Sequence, residues 1–357
     1  MHLGFHGLRD HLGQPPDDEL AVGAAGSRLR AEGPFLFDES VSRYQHSPDE
    51  LVNRYDGEVY RRVIEVGDAL VLVEARDAGM YGGARGEAGT GPAGTGNADT
   101  GEVETGEVDA GAVDMRVRAP GRMSKKLLGA GEAALRHLLA FDLDLEPFYR
   151  MARRDPVLAP FARRFRGLRP VRYLTLFEAL ITAITTQQVN LTFGGQTRAR
   201  LVKRWGEKLL LEDEVHWAFP RPERLARARA ATLKGMQFSG RKAEYVIGVA
   251  RAAAEGGLEA DDYRKLPLEE AVERLTALRG VGRWSAEQAL YRALGRIDAL
   301  PGGDLGVQKV VAQYCFGEVR VDECRAREAA LGWKPWGALA SAYLFAARRA
   351  GIPAKGD

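Results

Sequence analysis

Two glycines one residue apart, Gly280 and Gly282, interrupt an apolar helical pattern in Leu278-Arg-Gly-Val-Gly-Arg-Trp-Ser-Ala286. Glycine at such a point joins two helices through a tight turn, where the backbone needs a positive φ or a close approach. The amides that open the second helix then face outward, and a helix N-terminus is a natural site for phosphate. A G-x-G on its own commonly marks only a turn. A second stretch, Leu300-Pro-Gly-Gly-Asp-Leu-Gly-Val307, sets Asp304 between a Pro-Gly-Gly turn and a helix. Aspartate is a favoured N-cap, and in isolation that role outweighs a chemical one. A carboxylate there can also stabilise positive charge developing on a bound group. For Trp284, core packing and a pocket wall are evenly balanced.

Leu278, Val281 and Ala286 flank the glycines at the offsets of a helix-hairpin-helix, a motif that grips the DNA backbone. Gly280 to Ala286, Leu300 to Val307 and Trp333-Lys-Pro-Trp336 follow one another in order. Upstream lie Leu176-Phe-Glu-Ala-Leu-Ile-Thr-Ala-Ile-Thr-Thr-Gln-Gln-Val189 and Ser239-Gly-Arg-Lys-Ala-Glu-Tyr245. With these motifs the chain resembles the helix-hairpin-helix DNA glycosylase superfamily, and within it the 3-methyladenine DNA glycosylase II branch, over about residues 140–350. The resemblance implies that Gly280, Gly282 and Ser285 hold a DNA phosphate and that Asp304 is the catalytic carboxylate. Trp284 and Phe345 would line the pocket for an extruded base. Gln187 and Gln188 lie where the family inserts a side chain into the space that the flipped base leaves. The implied partner is double-stranded DNA carrying damaged bases, met by a monomer that needs no cofactor or metal ligands, with a monovalent cation as an option at the hairpin. The setting would be the cytoplasm of a bacterium, at the nucleoid.

The implied reaction is hydrolysis of the N-glycosidic bond of alkylated purines in base excision repair. Such a base must leave the stack before chemistry. Breaking its bond to C1′ puts positive charge on the sugar, which a nearby carboxylate stabilises. An alkylated purine is itself cationic and is attracted to an aromatic face. Bifunctional members of the superfamily carry a Schiff-base lysine in the second helix of the hairpin. Here Arg283 and Trp284 occupy that turn, and no lysine lies between Lys265 and Lys309, so water is the expected nucleophile. Gln188 and Gln288 are polar where relatives can place an apolar wedge and a pocket aromatic, which leaves the lesion spectrum open. The alternatives are a glycosylase of the same fold for an oxidised or deaminated base and a non-catalytic DNA-damage-binding protein. Asp304 argues against the latter, since a pure binder gains nothing from a carboxylate facing phosphate.

The rest of the composition fits a nucleic-acid partner. Residues 1–112 carry 9 basic and 21 acidic side chains and residues 113–357 carry 42 and 28, so a net +2 conceals a C-terminal part at +14. A basic domain points to a polyanion, with solubility as the bland alternative. Two cysteines, Cys315 and Cys324, cannot supply a disulfide framework, a zinc site or an iron–sulfur cluster of four thiolates. No secretory signal or membrane-length apolar run is visible. His2, His6 and His11 are scattered in an N-terminal stretch without the frame a metal needs. Arg163, Arg164, Arg166 and Arg169 form a basic run for which DNA contact and a solvated face are equally good readings.

These residues need a scaffold, and the patterning predicts an α+β chain. Residues 1–32 are expected to be a flexible arm. Residues 33–122 are expected to form a small antiparallel sheet domain, with strands at Phe35–Phe37, Tyr60–Val66, Ala69–Glu74 and Met115–Arg118 and a hairpin turn at Gly67-Asp68. A stretch rich in glycine and acid, residues 78–112, is expected to be a disordered loop inside that sheet. From residue 123 to 357 the period is helical, giving an all-α glycosylase body with its hairpin at 272–294. Thr175-Leu-Phe-Glu178 has the capping-box pattern that opens a long apolar helix. Further helices are expected near 192–206, 240–254, 267–277, 284–294, 304–315 and 335–350.

Overall fold

A computed structural model describes residues 22–44, 49–81 and 110–354. The N-terminal part is a five-stranded sheet of β1 (Val22–Arg30), β2 (Asn53–Tyr55), β3 (Val59–Val66), β4 (Ala69–Tyr81) and β5 (Ala110–Pro120). Its order is β1-β5-β4-β3-β2 and every neighbouring pair is antiparallel. One face is β-branched and aromatic: Tyr60, Val71, Val73, Val113, Met115 and Val117 pack on Leu135 and Leu138 of α2 (Lys125–Leu138). Gly67 supplies the positive φ (63°) that the two-residue β3–β4 turn requires.

Three expectations need correction. The arm predicted over 1–32 contains β1 from Val22 onward, paired along its length with β5; residues 1–21, with their three histidines, lie outside the described residues. Strand β1 escaped notice because it is an edge strand held by backbone pairing. Only Leu29 is buried, so it shows no alternation. The loop placed at 78–112 is narrower than its composition implied. Met80 pairs with Gly111 and Tyr81 with Ala110, and the remainder of the predicted disorder falls outside the described residues. Phe35-Leu-Phe37 is no strand. It enters a short helix, α1 (Phe37–Val41), and Phe35 sets its ring edge-on against Phe141.

The helical part runs through α3 (Glu146–Ala152), α4 (Leu158–Arg164), α5 (Leu176–Thr186), α6 (Leu191–Trp205), α7 (Pro222–Ala226), α8 (Ala230–Gly235), α9 (Gly240–Ala254), α10 (Ala260–Arg264), α11 (Leu268–Thr276), α12 (Arg283–Leu294), α13 (Leu305–Val311), α14 (Glu323–Ala329) and α15 (Gly337–Arg349). It is not purely helical. A hairpin of β6 (Lys208–Leu211) and β7 (Glu214–Trp217) sits after α6, and Leu209 and Leu211 pack on Val63 and Leu72 of the sheet. Its Leu-Leu-Leu-Glu-Asp-Glu-Val run carries the strand signal, but Glu212 and Asp213, rather than glycine, take the positive φ of the turn.

Two apolar cores divide the helices. One gathers α5, α6, α9, α11 and α12 around Leu180, Ile184, Val246 and Leu290. The other gathers α3, α4, α13 and α15 around Phe148, Leu158, Val310 and Tyr343. Helix α5 is buried from Leu176 to Thr185, the environment that an all-round apolar helix requires. Only half of the predicted capping box forms. The Glu178 amide donates to Thr175 Oγ1 at 3.1 Å, but the Glu178 carboxylate turns to the sheet instead. There it receives Nη1 and Nη2 of Arg62 at 2.7 and 2.8 Å, a pair whose side chains are 2% and 4% exposed. Arg198 of α6 likewise reaches Glu50, and Arg292 of α12 reaches the Tyr44 hydroxyl. Sheet and helical body are therefore joined through buried charge.

Candidate active site

Asp304 closes the Pro301-Gly302-Gly303 turn and caps α13. Its Oδ1 accepts from the Gly306 and Val307 amides at 2.8 and 3.1 Å, so the cap role expected of this residue type is real. The second oxygen does something a cap does not need. Oδ2 accepts from Nε1 of Trp284 at 3.0 Å. Trp284 belongs to α12 in one helical core and Asp304 opens α13 in the other. The carboxylate thus lies where the two cores meet, half-buried, beside a half-buried indole. Phe345 of α15 comes to the same place: a methyl on Gly306 would fall 2.9 Å from both the Phe345 ring and Asp304 Oδ1. The geometry brings Asp304, Trp284 and Phe345 together.

The hairpin is α11, a turn and α12. Gly280 has φ 88°, and a Cβ there would lie 2.1 Å from the Tyr245 ring, so glycine is obligatory on both counts. Gly282 is different. Its φ is −88° and a Cβ would meet nothing within 4 Å. The expectation that both glycines answer to backbone strain is corrected: nothing inside the protein requires Gly282, and its Cα faces open space. No side chain caps α12. The amides of its first turn are accordingly left for an outside acceptor.

Gln187 departs from its predicted role, and Ser285 keeps only its backbone amide for a phosphate. The Ser285 side chain is buried and accepts from Gln187 Nε2 at 3.0 Å, so its hydroxyl does not face an outside phosphate; only its amide is on the first turn of α12. Gln187 Nε2 also donates to the Gly280 carbonyl at 3.0 Å. Gln187 is a strut between the end of α5 and the hairpin, not a free side chain. Gln188, the next residue, is exposed at φ 54°. Leu191, just past it at the start of α6, is 81% exposed. Of the basic run at 163–169, Arg169 is buried and donates to the carbonyls of Pro34, Ala140, Leu143 and Glu32, which makes it structural.

Sequence reasoning missed the polar network behind the site. Glu287 has a side chain only 1% exposed. Its Oε1 accepts from Arg283 Nε at 2.9 Å and its Oε2 from Arg327 Nη2 at 2.8 Å. Burial pushes its carboxyl up and the two guanidiniums pull it back. Arg283 and Glu287 are four apart on one helix, a visible signal; Arg327 is 40 residues further on and gave none. Among the described residues no group of three or more His, Cys, Asp or Glu is gathered for a metal, and no helix is long and apolar enough to cross a membrane.

Residues 181–335 match the model of the HhH-GPD superfamily base excision DNA repair proteins. The chain is 34% identical over 207 residues to a DNA-3-methyladenine glycosylase of Bacillus subtilis, covering 57% of this chain and 68% of that one. It is 30% identical over 182 residues to DNA-3-methyladenine glycosylase 2 of Escherichia coli, covering 50% of this chain and 60% of that enzyme. The solved 3-methyladenine DNA-glycosylase of Archaeoglobus fulgidus superposes over 91% of this chain and 99% of its own with a TM-score of 0.70 at 22% identity, a likeness of fold that includes the N-terminal sheet. The family match spans the turn with Gly280 and the loop with Asp304, and the identity extends over two thirds of a curated relative, so the chain belongs to the helix-hairpin-helix superfamily of base excision DNA repair proteins.

Proposed function

We propose that the protein is a monofunctional DNA N-glycosylase that releases alkylated purines of the 3-methyladenine type. The observation that carries the reading is the Asp304 carboxylate, fixed by two amides and an indole beside a hairpin whose helix N-terminus is uncapped. In this reading a phosphate settles on the first-turn amides of α12, over the open face of Gly282. That fixes the duplex without reading its sequence. The extruded base enters between Trp284 and Phe345, whose faces attract a cationic ring. The C1′–N bond then breaks with its electron pair leaving on the purine, which departs neutral. Asp304 stabilises the sugar cation, and water adds to C1′ with loss of a proton. Gln188, exposed on its turn, fills the vacated stack in this reading. A monovalent cation at the hairpin is an option in this reading, and no step depends on one.

The names of the curated relatives favour alkylated over oxidised or deaminated bases. The test is incubation with duplexes that each carry one defined lesion. Free alkylated purine and an unbroken abasic strand are expected, and borohydride should trap no covalent adduct. Stoichiometric trapping, or release confined to an oxidised base, would overturn the reading.

A further inference from the structure

We infer that Arg327 is a positioning residue for the Asp304 carboxylate, acting through the loop that carries it; the inference rests on the glycosylase reading. Arg327 lies on α14, remote in sequence from the hairpin, yet it bonds both this loop and the hairpin's second helix. Its Nη1 donates to the Leu300 carbonyl at 3.1 Å. Its Nη2 donates to Glu287 of α12 at 2.8 Å and to Glu323 at 2.7 Å. The Gly302 backbone lies flat against it: a methyl on Gly302 would come within 2.8 to 3.0 Å of Arg327 Cγ, Nε and Cζ. On the other side the buried Gln308 donates Nε2 to the Gly302 carbonyl at 3.1 Å. The loop from Leu300 to Gly303 is thus clasped between one guanidinium and one amide, immediately before Asp304.

The anchor of the clasp is what gives it meaning. Glu287 is on the helix that presents its amides to DNA, and its other oxygen is held by Arg283, which forks onto Glu269 of α11 at 2.7 and 2.8 Å. A continuous run of charge therefore leads from the hairpin to the loop, crossing between the two helical cores beside the Trp284–Asp304 hydrogen bond. Arginine suits the task because its planar fork holds several donors in fixed, divergent directions, whereas a lysine offers its donors from a single compact ammonium. Displacement of a catalytic group by about 1 Å can cost ~10²-fold in rate. A side chain that sets the loop therefore matters without touching substrate.

The experiment uses the full chain and a duplex with one N7-methylguanine. Single-turnover release and affinity for undamaged duplex are measured for wild type, Arg327→Met and Arg327→Lys, each also combined with Asp304→Asn. Arg327→Met should slow release roughly 10- to 100-fold with duplex affinity unchanged. Arg327→Lys, which keeps a charge opposite Glu287 and loses the fork, should fall between and carries the test if the methionine variant does not fold. Neither should slow release further once Asp304 is Asn, because a residue acting only through Asp304 has nothing left to position. Wild-type rates in the Arg327 variants, equal slowing in both backgrounds, or affinity lost in step with rate would overturn the inference. A wild-type protein that releases no base overturns the glycosylase reading, and this inference with it.

Discussion

Replacing Asp304 by Asn separates the cap from the chemistry. Two of the three hydrogen bonds to this carboxylate are cap bonds, from the Gly306 and Val307 amides to Oδ1, and an asparagine oxygen can keep both. The third, from Trp284 Nε1 to Oδ2, is lost, because the new amide presents a donor to a donor. One lost bond at a half-buried site costs about 1–2 kcal/mol. A domain stable by roughly 5–15 kcal/mol stays folded under that loss. The catalytic consequence is of a different size. Under the proposed role, in which this charge stabilises a sugar cation, its removal should slow base release ~10²-fold or more, about 2.7 kcal/mol on the barrier. Single-turnover release from a one-lesion duplex reads the second effect, and thermal unfolding with duplex binding reads the first. A folded Asn variant that binds DNA and releases base within about threefold of the wild-type rate would refute the assignment and leave Asp304 a cap.

Other outcomes follow from particular contacts. Gly280→Ala should destabilise the fold by about 1–3 kcal/mol through its clash with Tyr245, whereas Gly282→Asp should fold normally and lose affinity for damaged and undamaged duplex alike; selective loss on damaged DNA in the second variant would mean that the hairpin does not hold phosphate. Arg62→Met leaves Glu178 buried without its partner and should cost about 3–5 kcal/mol, and adding Glu178→Met should recover most of it in a denaturation series; no recovery would show that the pair is not what couples sheet to body. Burial lowers the pKa of His137 and His216, so the unfolded chain takes up protons near pH 6.5 that the fold refuses. Their contribution vanishes above that pH, and stability should fall as pH drops below it by at most about 1.4 kcal/mol per histidine per unit; urea midpoints that are equal at pH 7.5 and 5.5 would contradict this. Deleting residues 84–107 removes a net acidic stretch and spares the Tyr81–Ala110 pairing. The shortened protein should melt as before and bind DNA equally or slightly more tightly, and a lost fold would show that the stretch packs.

The sequence alone determined the elements whose signals are local. Period placed α6, α9, α11, α12 and α15 to within a few residues, and the caps read at Thr175 and Asp304 both form. It also determined the candidate chemistry, because Gly280, Asp304 and the absence of a hairpin lysine are matters of residue type and order. An edge strand such as β1 could not be seen, because backbone pairing leaves no mark on side-chain pattern. Tertiary structure decided which polar side chains are free. Gln187 and Gln188 are neighbours of one type, yet one braces the hairpin and the other faces solvent. Ser285 has the right place in the motif and its hydroxyl points inward. Glu178 has the right spacing for a capping box and pairs instead with Arg62, 116 residues away. Arg327 and Glu287 meet across 40 residues because two helical cores close on each other there. A side chain's partner is set by what the fold brings within about 3 Å, and at such separations nothing local in the chain encodes it.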